Sequence, residues 1–229
     1  MPGFGNELLI IRGPTGITDQ SGFGNHGTYQ GGMGTVADTD RGGTTAFLLD
    51  STNDFISFAS AIVTTMPVTL AAWIKPTSVG ISQAVISLAR SDGTLHFRNL
   101  RLDNITIHAA SAAGASSPSG SIAGVAANTW HLVIGEFLSA TSRTAFLDGT
   151  TGTTSATSRA PTALNELLIG FNRSTGFGYF GGRMDDIRVL DRVLTAAEIS
   201  AWVTAGRMYD VGGSTQRRRS AQASIQGAF

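Results

Sequence analysis

What most constrains this chain is a series of short segments in which apolar, β-branched and aromatic residues alternate, separated by Gly, Ser, Thr, Asn and Asp. Over 67–75 the alternation places Val68, Leu70, Ala72 and Ile74 on one face. Segment 130–137 reads the same way, with Trp130, Leu132 and Ile134 together. Further strands are predicted over 8–11, 46–49, 55–58, 84–88, 95–98, 105–108, 143–147, 167–170 and 184–190. Many short strands joined by turn residues are the pattern of an all-β sandwich. One helix is predicted. Thr195 and Glu198 have the spacing of a capping box, Ile199, Trp202 and Val203 make one apolar stripe, and Gly206 supplies the stop. So short a helix must dock on the sandwich, through Trp202. Stretches 109–128 and 150–163 are mostly Ala, Ser, Thr and Gly and are expected to be long loops.

Composition narrows the function classes. Of 229 residues, 41% are hydrophobic and 14% charged, which excludes bulk disorder and fits one large domain. The formal net charge is +0, so the domain is not expected to bind nucleic acid electrostatically. There is no cysteine, which removes disulfides, thiolate metal sites and a cysteine nucleophile. No run approaches the roughly 20 apolar residues of a membrane helix, so membrane insertion is not expected. The first residues lack the basic and apolar regions of a secretory signal, and none is expected. The organisation expected is an N-terminal arm over 1–7, one domain over 8–206 and a tail over 207–229.

The order of motifs resembles a known family. Asp19-Gln20-Ser21-Gly22-Phe23-Gly24-Asn25-His26-Gly27 is similar to the D-x-S-G-x-G-N-x-G opening of laminin-G-like, concanavalin A-like jelly-roll domains. Segment 46–56 is similar to the family's F-D-G-x-N-D-Y-V strand, although Leu49 stands where the family usually has Asp and Asp50 follows one place later. Segments 69–76, 130–133, 145–149 and 180–190 follow in family order, and then the docked helix. The resemblance covers roughly 8–203. It implies an all-β antiparallel jelly-roll sandwich with one short C-terminal helix. Such sandwiches serve as lectins, adhesion modules, hydrolase accessory domains and virion parts, so sites are argued separately.

In the resembling family the opening loop often folds around Ca²⁺, which implies Asp19, Asn25 and Asp185 or Asp186 as ligands here. The same loop also reads as a tight turn in which Asp19 and Asn25 bond their own backbone. Trp73, Trp130 and Trp202 fall at core positions, leaving the loop with Phe171, Asn172, Arg173, Phe177 and Tyr179 as the glycan-contact rim. Asn104 and Asn172 head glycosylation sequons, expected to be accidental. None of Glu7, Glu136, Glu166 and Glu198 begins the E-x-D-x-x-E pattern that retaining glucanases place on one strand face, so no enzyme is expected. His26, His96, His108 and His131 have no G-x-S-x-G partner. Arg217, Arg218, Arg219 and Phe229 lie in a Gly/Ser/Gln/Ala tail that orders only when an assembly holds it. The main expectation is therefore a non-catalytic display protein on a virion surface, a head decoration or fibre component. Its partners would be capsid or other virion proteins, sister copies in a homo-oligomer, and cell-surface glycans. The alternative is a bacterial surface or secreted carbohydrate-binding module, placed extracellularly.

Overall fold

The alternating segments become two-faced strands stacked in two layers. A computed structural model describes residues 6–38, 44–114, 116–174 and 178–206. Its strands are β1 (Glu7–Ile11), β2 (Thr28–Gln30), β3 (Gly34–Asp38), β4 (Thr44–Asp50), β5 (Phe55–Ser57), β6 (Val68–Pro76), β7 (Ser82–Ala89) and β8 (His96–Asp103). They continue as β9 (Thr106–Ala113), β10 (Ser119–Ala123), β11 (His131–Ser139), β12 (Ser142–Leu147), β13 (Thr150–Ser155), β14 (Glu166–Ile169) and β15 (Gly181–Leu190), followed by helix α1 (Ala196–Gly206). The eight-stranded sheet runs β13-β12-β11-β6-β15-β4-β3, with β1 also on β15, and the seven-stranded sheet runs β10-β9-β8-β7-β14-β5-β2. The strand pairings are antiparallel, giving the jelly-roll sandwich that the alternation and the motif order implied.

The core between the sheets takes one face of each central strand: Val68, Leu70, Ala72 and Ile74 from β6, Leu100 and Leu102 from β8, and Leu167 and Ile169 from β14. The opposite face of the larger sheet carries a second apolar cluster, Ala71, Trp73, Leu132 and Ile134, which α1 covers with Ile199 and Trp202. Trp130 packs against its margin. The helix starts as its sequence dictates. Thr195 Oγ1 accepts the Glu198 N–H at 3.2 Å, and the Glu198 carboxylate accepts the Thr195 N–H at 2.8 Å.

Strand β15 branches. Gly181 to Met184 pair with β4, while Ile187 to Leu190 pair with β1. At the branch the register against β6 slips between Asp185 and Arg188, and Asp186 has φ +44°, a bulge at the sheet's centre. The bulge turns the Asp186 carboxylate toward the helix. It accepts bonds from Arg12 Nε at 2.9 Å, Arg188 Nε at 3.0 Å, Arg188 Nη2 at 2.9 Å and Trp202 Nε1 at 2.9 Å.

The two expected long loops are not loops. Stretch 109–128 contains the end of β9 and all of β10, and stretch 150–163 opens with β13. Their small residues let the sheets close along one margin. A Cβ on Gly120 would lie 2.4 Å from Arg143 O, and one on Gly152 would lie 2.4 Å from Ser121 O. Ser121 N–H bonds Thr153 Oγ1 at 2.9 Å across this seam. Of the expected arm over 1–7, residues 1–5 lie outside the described residues and Glu7 already belongs to β1; the tail positions Arg217, Arg218, Arg219 and Phe229 also lie outside the described residues.

Candidate ligand-binding face

The outer face of the seven-stranded sheet is partly open at its two sides, at Phe55 and Ser57 and at Arg101 and His108, while its centre at Ser87, Phe97 and Asn99 is buried. Residues alternating with the core positions point there: Phe55 and Ser57 on β5, Ser87 and Ala89 on β7, Phe97, Asn99 and Arg101 on β8, and His108 and Ala110 on β9. The chain leaving β14 runs over this face. Arg173 Nε bonds Glu166 Oε2 at 2.7 Å, and Ser174 Oγ donates to Thr94 O at 3.1 Å beyond the end of β7. Gly178 returns to bridge Gln83 at the other end of β7.

This stretch builds an aromatic platform at one side of the face. The Phe171 and Tyr179 rings stack with centroids 4.3 Å apart and planes 7° apart. Phe55 meets them at 5.1 Å and 6.2 Å. All three rings are half-buried, so each keeps an open edge or face. Beside them, burial and then the charge of Asp50 push the Asp54 carboxyl above its ordinary range. At the other side lies a polar strip. Arg101 and His108 are cross-strand partners, His108 Nδ1 and Ser119 Oγ are 2.8 Å apart, and Arg101 Nη1 lies 3.4 Å from Ser117 Oγ. Burial, then the Arg101 charge, hold His108 below the ordinary histidine range against the pull of Asp103, so its ring is neutral at pH 7. From β5 to β10 the face spans five inter-strand spacings, about 24 Å.

The rim expected from sequence is thus partly assembled. Phe171 and Tyr179 join it, whereas Asn172 is 1% exposed and its Oδ1 accepts the Ser174 N–H. That burial also removes Asn172 as a glycosylation acceptor. Arg173 is exposed but its Nε is taken by Glu166, and Phe177 lies outside the described residues. Sequence reasoning missed Phe55, Ser57, Ser87, Asn99 and Arg101. The available signal was that, in β8, polar Asn99 and Arg101 alternate with apolar Leu100 and Leu102.

The residues implied for calcium do not fit the ion. Asp19 Oδ1 accepts Ile10 N–H and Ser21 N–H, and its Oδ2 accepts Ser21 Oγ–H and Asn25 N–H. Asn25 Nδ2 donates to Leu8 O at 2.8 Å. The loop therefore closes on its own backbone, the turn that Asp and Asn favour. Asp185 Oδ1 accepts Gly13 N–H, and Asp186 is held by the Arg12 and Arg188 guanidiniums, which repel a cation. Among the described residues no three His, Cys, Asp or Glu side chains are grouped to hold a metal. A recess of about 340 Å³ lies between α1 and the β12–β13 hairpin, lined by Phe146, Asp148, Ile199 and Val203 among others. Its Asp148 already accepts Leu132 N–H at 2.8 Å and contacts His131 Nδ1 at 2.7 Å.

The family profile of the concanavalin A-like lectin/glucanases superfamily matches residues 50–200. A search of curated proteins finds no match. Among solved structures, domain 4 of AbnA, a GH43 extracellular arabinanase from Geobacillus stearothermophilus in complex with arabinotriose, is 13% identical with TM-score 0.68, over 85% of this chain and 98% of that one. The binding domain of Paraclostridial Mosquitocidal Protein 1 is 14% identical with TM-score 0.65, over 86% of this chain and 52% of that one. The binding domain of botulinum neurotoxin DC in complex with rat synaptotagmin II is 12% identical with TM-score 0.68, over 88% and 52%. This chain therefore spans about half of the toxin binding domains. At these identities the likeness is one of fold.

Proposed function

The chain belongs to the concanavalin A-like lectin/glucanase superfamily, and from that premise we propose that it is a non-catalytic module that binds glycans through the outer face of its seven-stranded sheet. The observation that carries this reading is the half-open platform of Phe55, Phe171 and Tyr179, on the same face as the Arg101–His108–Ser119 strip. Apolar sugar faces pack on aromatic rings while hydroxyls need fixed donors and acceptors, and this face offers both. The fold is also that of an arabinanase domain seen with arabinotriose, and of toxin binding domains.

The positions of the glutamates support a reading of binding without catalysis. Glu7 pairs with Arg188, Glu136 accepts Leu194 N–H, Glu166 pairs with Arg173, and Glu198 caps α1 and pairs with Arg192. Glycoside hydrolysis needs two carboxyl groups flanking one bond, and no two of these share the face. An extracellular or cell-surface place of action suits such a module. The virion placement expected from the tail, the low charge and the lack of cysteine has less support: the tail over 207–229 is outside the described residues, and none of the neighbours above is a virion protein. A glycan array followed by calorimetry with the best oligosaccharides, arabinotriose included, tests the reading. Phe171→Ala and Tyr179→Ala each weaken binding about tenfold, with the fold intact by circular dichroism. Binding by neither array nor calorimetry, or binding indifferent to both substitutions, overturns it.

A further inference from the structure

The turn between β9 and β10, at one open side of the same face, gathers guanidiniums from three separate parts of the chain. Arg159, beyond β13, donates from Nε to Ser116 O at 3.1 Å and from Nη2 to Ser116 Oγ at 3.0 Å. Arg101 on β8 points Nη1 at Ser117 Oγ, 3.4 Å away, and Arg143 on β12 donates from Nε to Pro118 O at 2.9 Å. The other donors of Arg143 go to Ala140 O, Ser155 Oγ and Thr157 O, and Arg159 Nη1 goes to Ser158 O. Among the described residues, neither Arg143 nor Arg159 pairs with a carboxylate, whereas Arg12, Arg173, Arg183, Arg188 and Arg192 each take an Asp or Glu. The acid that acts on Arg101, and on His108 beside it, is Asp103. A chain of net charge +0 thus sets three guanidiniums against one carboxylate at this turn. Their crowding shows in Arg143, which burial and then the Arg159 charge hold below the ordinary arginine range.

We propose that Arg101, Arg159, Ser116 and Ser117 form a site for an acidic group of the bound glycan, a sulfate ester or a carboxylate. This rests on the glycan-binding reading above and names its ligand class. Guanidiniums are the side chains best matched to both groups, because their forked N–H donors meet paired oxygens. The two serine hydroxyls each accept from a guanidinium, and each keeps its own proton to donate to an anion. The site is open. Ser116 is exposed, while Ser117, Arg101, His108 and Arg159 are half-buried, so a ligand reaches them without crossing the buried centre of the sheet. Arg143, 1% exposed, backs the turn and adds its charge from behind. Holding like charges together without counterions is unfavourable, and an anion seated between Arg101 and Arg159 reverses the sign of that contribution. His108 reports on the arrangement. Its Nδ1 lies 2.8 Å from Ser119 Oγ, and the Arg101 charge disfavours its protonated form, so an anion beside Arg101 favours protonation.

Wild type, Arg159→Gln and Ser116→Asp are titrated with sulfated and with uronate-containing oligosaccharides, and with the same sugars after desulfation or carboxyl reduction. Wild type is expected to bind one acidic series about tenfold more tightly than its neutral counterpart, and the series that does so tells sulfate from carboxylate. Arg159→Gln brings that preference close to one. Ser116→Asp supplies the anion from the chain itself, so the preference disappears while the thermal midpoint without sugar holds or rises. In wild type the His108 ring titration, followed by NMR, moves to higher pH with the acidic sugar bound. Equal binding of acidic and neutral sugars overturns the proposal and leaves glycan binding standing, as does a preference that survives both substitutions. A His108 titration unmoved by the bound acidic sugar places the anion elsewhere and also overturns it. A single-stranded oligonucleotide that binds as tightly as the best acidic sugar overturns the assignment to a glycan. A wild type that binds no glycan, acidic or neutral, overturns both readings. Arg159→Gln, at a half-buried position, keeps the test readable if Ser116→Asp disturbs the turn.

Discussion

Replacing Asp186 tests how the branch of β15, strand β1 and helix α1 are tied together. The carboxylate is 2% exposed in its side chain and sits between Arg188, 0% exposed, and Arg12, 15% exposed. It also accepts the Trp202 indole N–H at 2.9 Å, while the Arg188 guanidinium lies 4.4 Å from the Trp202 ring centroid. Asp186→Ala withdraws four hydrogen bonds from these three partners and leaves a fully buried guanidinium with less countercharge. Removing one partner of a buried ion pair costs about 3–5 kcal/mol. In a domain of this size that lowers the thermal midpoint by about 10 °C. Urea unfolding followed by tryptophan fluorescence measures the loss directly, and Asp186→Asn, which keeps shape but not charge, falls between. The pH dependence carries a sign. Burial alone would raise the Asp186 carboxyl, but the charges and hydrogen bonds of Arg188 and Arg12 outweigh it and hold it below 3.8. A depressed carboxylate stabilises fully above its unfolded value and loses that contribution as pH falls through its folded one. The gap between wild type and Asp186→Ala therefore stays constant from neutral pH down to about 4 and narrows below it. A loss under about 1 kcal/mol, or a gap that widens in acid, refutes the reasoning.

Four further outcomes are expected. A Cβ on Gly206 would lie 2.2 Å from Trp73 Cζ2, so Gly206→Ala displaces the end of α1 and costs about 1–3 kcal/mol by urea unfolding. Thr195→Ala removes the N-cap bond to Glu198 N–H and costs about 1 kcal/mol. Hydrogen bonding from Arg192, more than any other cause, pulls the Glu198 carboxyl down to about 2, so its side of the cap stays charged until strong acid, read as helix circular dichroism against pH. Ca²⁺ and chelator leave the thermal midpoint unchanged, because Asp19 and Asp186 are committed to N–H and guanidinium donors. A midpoint that climbs with the logarithm of calcium concentration contradicts this.

The fold was legible where large side chains alternate. β6 and β11 show their two faces in sequence because one buries Leu70 and Val133 between the sheets and the other buries Trp73 and Leu132 under α1. β10 and β13 were hidden because close approach of the sheets selects Gly120, Gly152 and small hydroxyl residues, the composition that also makes loops. The bulge at Asp186 was invisible, since a regular strand would send Asp185 and Asp186 to opposite faces. At the site, Phe171 and Tyr179 stood out as aromatics amid Gly and polar residues. Phe55 was absorbed into a strand. Ser87 and Asn99 look in sequence like ordinary solvent-facing strand positions, and only their burial without partners separates them from that reading.

The most direct measurement is a ¹⁵N-¹H chemical-shift titration of the full chain with its best-binding oligosaccharide. Glycan binding on the outer face predicts saturable shifts at Phe55, Arg101, His108, Phe171 and Tyr179, with the amides of α1 and the 19–27 loop unmoved. Shifts confined to the recess between α1 and β13, or to the 19–27 loop, contradict it.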